Sequence, residues 1–295
     1  MLPGMAGASG RLLAAAMAEG YARGGIFSAV HPPDPAASAS AASAPAEDAL
    51  PRQPQAGEPE LSVVVPVRNE AGNILPLVAE IRAALAGRAY EIVYVDDGST
   101  DASWAELEMA AADGRMRALR HRLSCGQSAA IATGVRAARG RWIGTLDGDG
   151  QNDPADLPSL LARAQAAEGA VMVVGHRVSR KDSGMKRFSS RFANGLRARL
   201  LGDATPDTGC GLKVFPRALF MELPCFDHMH RYLPALALRA GARLESVPVN
   251  HRPRTRGRSN YGTLDRALVG IFDLVGVYWL MRRGRRPELD KRIGQ

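Results

Sequence analysis

The 295-residue chain is poor in cysteine and in aromatic residues, and it lacks a long uninterrupted apolar run. Its three cysteines, Cys125, Cys210 and Cys225, match neither a paired disulfide framework nor the spacing of a zinc site. No GxGxxG follows the first predicted strand and no GxxxxGK[ST] occurs, which argues against a dinucleotide fingerprint and a P-loop. The cysteine content is typical of a cytoplasmic protein, in which Cys210 would be a small packing residue.

The first sixty residues differ in composition from the rest of the chain. They are rich in Ala, Pro, Ser and Gly, and residues 36–59 lack apolar periodicity. The early segment RLLAAAMAEGYA lacks the long apolar core and the clear cleavage site of a secretory signal. Residues 1–60 are therefore predicted to be a flexible low-complexity extension.

Positive charge is concentrated in two regions of a chain whose net charge is +8. Eight Lys or Arg and one acid lie between His176 and Arg199, and twelve basic residues and five acids lie between Arg243 and Arg292. Such clusters attract phosphate groups, whether these belong to a nucleic acid, a nucleotide or a lipid head group. A basic surface that served only solubility would need less clustering of positive charge.

Strand patterns alternate with helical patterns after residue 60. LSVVVPV, EIVYVD, MRALRH, WIGTLD and AVMVVG are predicted strands, and helical patterns follow the first four of them. This alternation predicts βαβ units and an α/β fold with a mainly parallel sheet flanked by helices. In such sheets the ligand site lies beyond the carboxyl ends of the strands.

Acidic and polar turns follow three of these strands. They are Arg68-Asn69-Glu70, Asp96-Asp97-Gly98-Ser99 and the stretch GTLDGDGQNDP, in which Asp147, Asp149, Gln151 and Asp153 alternate with other residues. Oxygen ligands at this spacing can converge on Mg²⁺ or Mn²⁺ and leave the remaining positions to water and substrate phosphates. The alternative is an acidic loop in which Asp153 caps the next helix.

Five motifs resemble those of glycosyltransferase family 2, and more narrowly its polyprenyl-phosphate sugar transferases, which include dolichyl-phosphate mannose synthase. VVVPVRNE resembles the opening strand and nucleotide loop, VDDGSTD the second acidic turn, and LDGDGQNDP the metal-binding DxD segment followed by Gln. DTGCGLKVF resembles the DxxSGFRxF turn and RTRGRSNYG the RxxGxSK loop. The resemblance implies a GT-A nucleotide-sugar-binding fold over residues 61–262.

The resemblance also implies roles for individual residues. The nucleotide-sugar would be bound by Pro66, Arg68, Glu70, Asp96, Asp97 and Asp147. The Mg²⁺ or Mn²⁺ that bridges the donor diphosphate would be surrounded by Asp147, Asp149 and Gln151. The acceptor phosphate would be bound by Arg177, Arg254, Arg256 and Ser259, and the catalytic set would be Asp149, Arg177, Lys213 and Arg254.

Two residues depart from the family pattern. Lys213 stands where arginine is usual, so a compact ammonium charge replaces a guanidinium that could donate two parallel hydrogen bonds. Asn260 stands where lysine is common. Both changes bear on how the acceptor is held. The neighbouring Arg256 and Arg258 could supply the charge that Asn260 lacks.

The implied reaction is metal-dependent transfer of a sugar from a nucleotide-sugar to a polyprenyl phosphate, undecaprenyl phosphate in a bacterium, with inversion at the anomeric carbon. A divalent cation and Lys or Arg stabilise the charge that builds on the departing phosphate. A phosphate acceptor is already ionised near neutral pH and needs cationic positioning more than a general base. His228 and His230 could bind a metal, but metal-binding pairs on helices favour four-residue spacing, so the two are predicted to serve helix entry and packing, with His230 and Arg231 as secondary candidates near the acceptor.

The C-terminal run Ala267 to Met281 is apolar but is interrupted by Asp273, and it is shorter than the roughly twenty residues that span a bilayer. Four arginines follow it, and such a position suits cytoplasmic lipid head groups. Residues 263–295 are predicted to be an amphipathic membrane-proximal helix and a basic tail. The protein would be peripheral at the cytoplasmic face of the inner membrane, in contact with the membrane surface or with a small membrane protein.

Two other functions are compatible with parts of this sequence. An enzyme with the same donor chemistry could use a hydroxyl acceptor in a cell-surface glycan, although it would then need a positioned base. The basic regions alone would also suit a nucleic-acid-binding protein. Acidic strand ends and the lack of an aromatic-rich basic groove argue against nucleic acid as a partner.

Overall fold

The computed structural model describes residues 58–112, 114–177, 195, 197–203, 205–253 and 263–283, with side chains in the last range from residue 270 onward. Several predictions fall outside these residues. They concern nearly all of the 1–60 extension, the basic tail after residue 283, and the phosphate-binding candidates Arg254, Arg256 and Ser259.

Strands and helices alternate through most of the described chain. The strands are β1 (Leu61–Val67), β2 (Tyr90–Asp96), β3 (Met116–Arg120), β4 (Trp142–Thr145), β5 (Val171–Arg177), β6 (Lys213–Pro216) and β7 (Arg243–Val249). The α-helices whose two ends both lie among the described residues are α1 (Ile74–Ala84), α2 (Ser103–Ala111), α3 (Gln127–Ala137), α4 (Leu157–Gln165), α5 (Arg217–Met221), α6 (Leu233–Arg239) and α7 (Thr263–Arg282). Short 3-10 turns, Pro154–Asp156 and Met229–Arg231, precede α4 and α6.

The strands form one seven-stranded sheet in the order β3-β2-β1-β4-β6-β5-β7. β1 is parallel to both β2 and β4, β2 is parallel to β3, and β5 is parallel to β7. Only β6 runs antiparallel to its neighbours. The predicted α/β class with a mainly parallel sheet is confirmed. Because β1, β2 and β4 are parallel, the polar turns that follow them lie together at the carboxyl ends of these strands.

Two apolar layers cover the sheet, one on each face. On one face, the core is formed by side chains of α1, α2 and α4 together with Leu61, Val63 and Val65 of β1. On the other face, α3, α5, α6 and α7 pack against Val64 and against side chains of β2 and β4. β1 is buried along its whole length because its side chains alternate between these two layers.

The sequence pattern did not identify β6 and β7. β6 has only four residues, and it begins with Lys213. β7, with the sequence RLESVPV, is largely polar in its first half and lies at the edge of the sheet. Both strands lack the continuous apolar run by which the buried parallel strands were recognised.

α7 packs along α6 as part of the same compact unit as the sheet. Val277 is buried, and Leu274, Tyr278 and Met281 pack on the second apolar layer. Among the described residues, no helix combines the length and the apolar character needed to cross a membrane.

A buried carboxylate, that of Glu91, joins three parts of the fold at the amino ends of the strands, opposite the polar turns. Glu91 of β2 accepts hydrogen bonds from the Ser62 hydroxyl (2.6 Å) and the Arg139 backbone N–H (2.6 Å), and Arg117 of β3 donates to it at 2.7 Å. Burial alone would raise the pKa of Glu91, but these hydrogen bonds outweigh it and hold the pKa below its ordinary value.

We predict that Glu91→Gln lowers the free energy of unfolding by about 1 to 3 kcal/mol near neutral pH. Because the folded-state pKa is lowered, the stabilisation by Glu91 is complete above the ordinary pKa of 4.5 and is lost as the pH falls through the folded-state value. Urea unfolding of both proteins from neutral to acidic pH measures this difference, with exposed Glu168→Gln as the control. A difference that does not change with pH would contradict the assignment.

Candidate active site

The turn after β1 is fastened to the turn after β2 by side chains of the DGSTD segment and α2. Four consecutive backbone N–H groups, from residue 69 to residue 72, each donate to a side-chain oxygen. The acceptors are Ser99, Ser103, Asp101 and Glu106. Glu70 itself accepts a hydrogen bond from the Asn73 amide at 2.8 Å, and Arg68 is exposed just beyond Val67. The RNE turn is therefore held against the DGSTD segment and the start of α2 by these four hydrogen bonds.

Asp96 is fully buried at the end of β2. One carboxylate oxygen accepts the Ser99 backbone N–H at 2.9 Å, and the other lies 3.1 Å from Nε of Arg120. The Arg120 guanidinium also donates to the Ser99 carbonyl and lies over the Trp104 ring. Asp96 is thus neutralised within the protein, close to the predicted nucleotide pocket.

Asp97 holds the loop that connects β3 to α3. Its two carboxylate oxygens bond Nδ1 of His121, the Ser124 hydroxyl and the backbone N–H groups of Cys125 and Gly126, at 2.7 to 2.8 Å. Burial would raise the pKa of Asp97, but these hydrogen bonds outweigh it and lower the pKa. Gly98 has φ +69°, and a Cβ there would lie 2.8 Å from Ser124 N, so the loop closely approaches this turn.

Ligand atoms of Asp97, His121 and Cys125 lie within 4.8 Å of one another, which resembles a metal cluster. However, the His121 ring is engaged at both nitrogens, by Asp97 at 2.7 Å and by the Thr133 hydroxyl at 3.0 Å. Both carboxylate oxygens of Asp97 are engaged as well. The cluster therefore serves as a hydrogen-bonded tether.

Asp147 follows β4 and points its carboxylate toward the backbone of Gly211. A Cβ at position 211 would overlap this carboxylate, so only glycine allows the approach. The Gln127 amide at the start of α3 donates to Asp147 at 2.9 Å. Burial and the charge of Asp149 raise the pKa of Asp147, while Lys213, the Gln127 hydrogen bond and Arg177 act in the opposite direction.

The loop from Asp149 to Asp153 is joined to the chain just beyond β7. The Gln151 side-chain amide donates to the Arg252 carbonyl at 3.4 Å, and the Arg252 backbone N–H donates to the Gln151 carbonyl at 2.9 Å. Asp153 accepts the Ala155 N–H, as the capping interpretation predicted, and it also forms a 2.6 Å ion pair with Arg252. The acidic loop thus ends beside the segment that leads into RTRGRSNYG.

A cavity of about 410 Å³ lies between the acidic turn, the DTGCGLK segment and the turn before α6. Its polar lining includes Gln127, Asp147, Arg177, Thr208, Lys213, His230 and Arg231. This edge of the sheet is where an open α/β sheet binds its ligands. Two residues predicted to be catalytic, Arg177 and Lys213, therefore share the cavity with the predicted metal ligand Asp147.

The cations of this cavity are held by neighbouring groups. Arg177 forms a two-pronged ion pair with Asp207, at 2.5 and 2.7 Å, and this pairing raises the pKa of the guanidinium. Lys213 is buried and its ammonium donates to the Cys210 carbonyl. Burial lowers the pKa of Lys213, whereas Cys210, Asp147 and Asp207 act to raise it. Cys210 is a buried packing residue, as expected from the sequence.

The two histidines of the turn before α6 serve different neighbours. Nδ1 of His230 lies 2.8 Å from the Ser128 hydroxyl, and Nδ1 of His228 lies 3.0 Å from Asp273 of α7. Their ring centroids are 6.4 Å apart. The helix-entry interpretation agrees with this packing, and His230 and Arg231 also line the cavity. Burial lowers the pKa of His230 to about 3, with smaller contributions from Arg231, Lys213 and His228.

Sequence reasoning missed Gln127 as a site residue. It lies at the first position of α3, directly after the loop that follows β3, which is the end of the sheet where the ligand site was expected. The rule that ligands bind beyond the carboxyl ends of parallel strands could have identified it. Pro66, in contrast, is buried within β1 beside Val95.

Residues 62–223 match the family model described as glycosyl transferase family 2. The chain belongs to glycosyltransferase family 2. The match begins in β1 and includes the three polar turns, the cavity-lining Arg177 and the DTGCGLK segment. The resemblance inferred from the five motifs is thereby confirmed at the level of the family.

Curated relatives of this family 2 glycosyltransferase are named for polyprenyl-phosphate substrates. It is 36% identical over 235 residues to dodecaprenyl-phosphate galacturonate synthase of Rhizobium johnstonii, covering 77% of the chain and 69% of the relative. It is 38% identical over 220 residues to undecaprenyl-phosphate 4-deoxy-4-formamido-L-arabinose transferase of Pseudomonas aeruginosa, covering 73% and 64%. The chain thus spans about two thirds of the length of these relatives.

Solved structures support the fold assignment. Glucosyl-3-phosphoglycerate synthase from Mycobacterium tuberculosis, in complex with Mn²⁺, UDP-glucose and phosphoglyceric acid, superposes with a TM-score of 0.57 at 21% identity, covering 77% of this chain and 80% of that one. The same synthase in complex with Mg²⁺ and UDP has a TM-score of 0.56 at 20% identity, with coverages of 79% and 82%. The predicted GT-A-type fold of this glycosyltransferase is confirmed.

We predict that Asp97→Asn lowers the free energy of unfolding by about 2 to 4 kcal/mol, because an amide cannot accept hydrogen bonds on both sides and would oppose the Gly126 N–H. Chemical denaturation measures the loss, and hydrogen exchange should show faster exchange of the Cys125 and Gly126 amides. Exposed Glu168→Gln serves as the control. Unchanged exchange of both amides would contradict the tether.

Proposed function

We propose that this glycosyltransferase transfers one sugar from a nucleotide-sugar donor to a polyprenyl phosphate, undecaprenyl phosphate in a bacterial cell, with inversion at the anomeric carbon. The observation that carries the proposal is the cavity in which the Asp147 carboxylate lies with Arg177 and Lys213. A carboxylate turn with adjoining cations suits a ligand that brings both a metal-bound diphosphate and a second phosphate. The two named relatives support the same acceptor class.

Mg²⁺ or Mn²⁺ fits the residues of the acidic turn. Carboxylate and amide oxygens suit such hard cations, and Asp147 and Asp149 are close enough for the charge of Asp149 to raise the pKa of Asp147. The backbone approach of Gly211 leaves room for the carboxylate but not for a side chain. Asp147, Asp149 and Gln151 would hold the cation, which would offset charge on the departing diphosphate.

The nucleotide end of the donor would lie by the turns after β1 and β2. Arg68 and Glu70 are the proposed side-chain contacts, and Pro66, Asp96 and Asp97 are buried behind them. The hydrogen bonds between these turns preorganise their backbone, so little ordering is needed when a nucleotide binds. Asp96 and Asp97 would act mainly by shaping this pocket, because both carboxylates already bond protein groups.

The phosphate of the acceptor would be held by cations at the other side of the cavity. Arg177 is oriented by Asp207, and Lys213 is fixed by the Cys210 carbonyl. Arg254, Arg256 and Ser259 would complete this set, since their segment begins next to Arg252 and the acidic loop. Arg177, Lys213 and Arg254 would stabilise phosphate charge while Asp149 helps to position the donor.

His230 would not supply the base that a hydroxyl acceptor needs. A hydroxyl nucleophile needs a base to remove its proton, and a group with a pKa of about 3 is a poor base at neutral pH. An ionised phosphate needs no such step. His230 would therefore act as a neutral polar group in the cavity wall.

The lipid acceptor implies a peripheral position at the membrane, which we propose to be the cytoplasmic face of the inner membrane. A small membrane protein is a further proposed partner, whereas nucleic acid is not expected to bind. The acidic turns beside the cavity would repel a nucleic-acid backbone that carried no bridging cation.

We predict a new glycosyl-phosphoryl lipid when the purified chain is incubated with Mn²⁺ or Mg²⁺, undecaprenyl phosphate and a panel of nucleotide sugars. Asp149→Ala should reduce product formation about 100-fold or more, because charge on the departing diphosphate is no longer offset. Mass spectrometry of the lipid fraction identifies the product, and exposed Glu168→Ala should retain activity.

Three outcomes would change this proposal. Product from hydroxyl acceptors only would show that the enzyme acts in synthesis of a cell-surface glycan instead. An α-linked product from an α-linked donor would exclude single displacement with inversion. Full activity of Asp149→Ala would remove this residue from the catalytic set.

We predict that Gly211→Ala weakens binding of Mn²⁺ with the nucleoside diphosphate of the donor found in that assay about 10- to 100-fold, because the added methyl group displaces the Asp147 carboxylate. Isothermal titration calorimetry measures this affinity. Gly276→Ala is a matched control because a Cβ at that position meets no other atom within 4 Å. Equal affinities in Gly211→Ala and the parent would contradict the role of Asp147.

A further inference from the structure

The His230 ring turns one nitrogen toward the protein and leaves the other to the cavity. Nδ1 lies 2.8 Å from the hydroxyl of Ser128, which is buried at the start of α3. Nε2 has no hydrogen-bond partner in the part of the chain that the structure describes, and it is not sealed off from solvent. Because His230 lines the cavity, this arrangement leaves Nε2 open to a ligand there.

Ser128 determines which of the two ring nitrogens carries the proton. Its Oγ accepts the backbone N–H of His230 at 3.2 Å, and the residue is 3% exposed, so water has little access to it. The hydroxyl proton therefore needs an acceptor inside the protein. Nδ1 of His230 is the acceptor that the described residues offer it. The hydroxyl accordingly donates to Nδ1, and the ring proton lies on Nε2.

An uncharged N–H at this position suits a different ligand group from the neighbouring cations. Burial lowers the pKa of His230 to about 3, and the charges of Arg231, Lys213 and His228 act in the same direction. The ring is therefore neutral at physiological pH. Arginine and lysine bind phosphate through charge-assisted hydrogen bonds, whereas a neutral N–H is the kind of group that orients an uncharged hydroxyl in a binding site.

The place of His230 in the cavity is that of a contact to the transferred sugar. Gln127 donates to Asp147 of the acidic turn, and the next residue of α3 is the hydrogen-bond partner of His230. Arg177 and Lys213 line the same cavity. In the proposed reaction the diphosphate lies at the acidic turn and the acceptor phosphate lies at these cations, so the sugar passes between them. His230 belongs to the wall between them, since Lys213 is close enough to affect its pKa.

We propose that His230 is a specificity-determining residue that donates a hydrogen bond from Nε2 to a hydroxyl oxygen of the transferred sugar. Ser128 is the positioning residue that fixes the tautomer of the ring. This inference rests on the proposed function, because it names a contact to the sugar of that donor. A site that hydrogen-bonds a substrate hydroxyl rejects an analogue without it, since the polar group of the site is then left unpaired.

The first test observes His230 without turnover, by nitrogen-15 NMR of the full-length chain near neutral pH. The signal that His230→Gln removes should show a neutral ring with its proton on Nε2, and a ring protonated at Nδ1 or at both nitrogens would overturn the proposal. With Mg²⁺ present, members of a panel of UDP- and GDP-sugars should shift this signal more than UDP or GDP alone. Equal shifts by every nucleotide sugar and its nucleoside diphosphate would also overturn it.

The second test measures kcat/KM with the donor that the parent uses and with its monodeoxy analogues. In the parent, one analogue should have a kcat/KM about 10- to 100-fold below that of the donor, because Nε2 then lacks its partner. In His230→Phe the two values should be nearly equal, while His230→Gln, which keeps an N–H, should retain part of the preference. Ser128→Ala should weaken the same preference, and exposed Ser159→Ala of α4 should leave it unchanged.

The outcomes of this test separate the sugar contact from the reaction itself. Preferences among the analogues that His230→Phe leaves intact would contradict the role of His230. The absence of transfer by the parent to any polyprenyl phosphate would instead contradict the proposed function, and the NMR shifts would still decide the contact to the sugar.

Discussion

Repulsion among carboxylates at one edge of the sheet is the constraint on which the arrangement of the site depends. Parallel pairing of β1 with β2 and β4 places three acidic turns together, and like charges at such distances are costly unless they are offset. The protein offsets them in different ways. Arg120 neutralises Asp96, four hydrogen-bond donors surround Asp97, and Arg252 pairs with Asp153.

Asp147 is offset less completely than these carboxylates, and its position explains the neighbouring sequence. Its raised pKa reflects burial and the charge of Asp149, against which Lys213, Gln127 and Arg177 act. Gly211 must be glycine for the carboxylate to fit, and the antiparallel strand that begins with Lys213 brings a cation to the same place. The DTGCGLK segment is therefore a structural counterpart of the acidic turn, from which it is separated by about sixty residues in the chain.

The sequence was sufficient for the fold class and for the edge at which the site lies, because buried parallel strands are continuous apolar runs and their polar ends share one direction. It was also sufficient for the capping role of Asp153, which depends on neighbouring residues alone. β6 and β7 were missed because one is short and the other is polar at the sheet edge. Gln127 was missed because its value depends on a contact with Asp147, twenty positions away, that no local pattern encodes.

The same reasoning explains why the role of Asp97 could not be settled by its motif. An acidic residue after a strand is compatible with ligand binding and with loop anchoring, and only the three-dimensional neighbours distinguish the two. His121, Ser124 and the two backbone N–H groups that surround it lie in a loop with no acidic or aromatic signal of its own. Sequence therefore identifies the turn, while packing determines what its carboxylate does.

The turn before α6 connects the cavity to the exposed helix over a very short length of chain. His230 bonds Ser128 at the cavity wall, and His228, two residues earlier, bonds Asp273 of α7. Two residues span at most about 7 Å, so the backbone that lines the cavity and the backbone that carries α7 are close neighbours. A lipid acceptor must keep its chain in the bilayer while its phosphate enters the cavity. The cavity and the exposed apolar side of α7 are therefore adjacent, which is the arrangement that the proposed lipid acceptor would require, and no helix among the described residues is long and apolar enough to span a membrane.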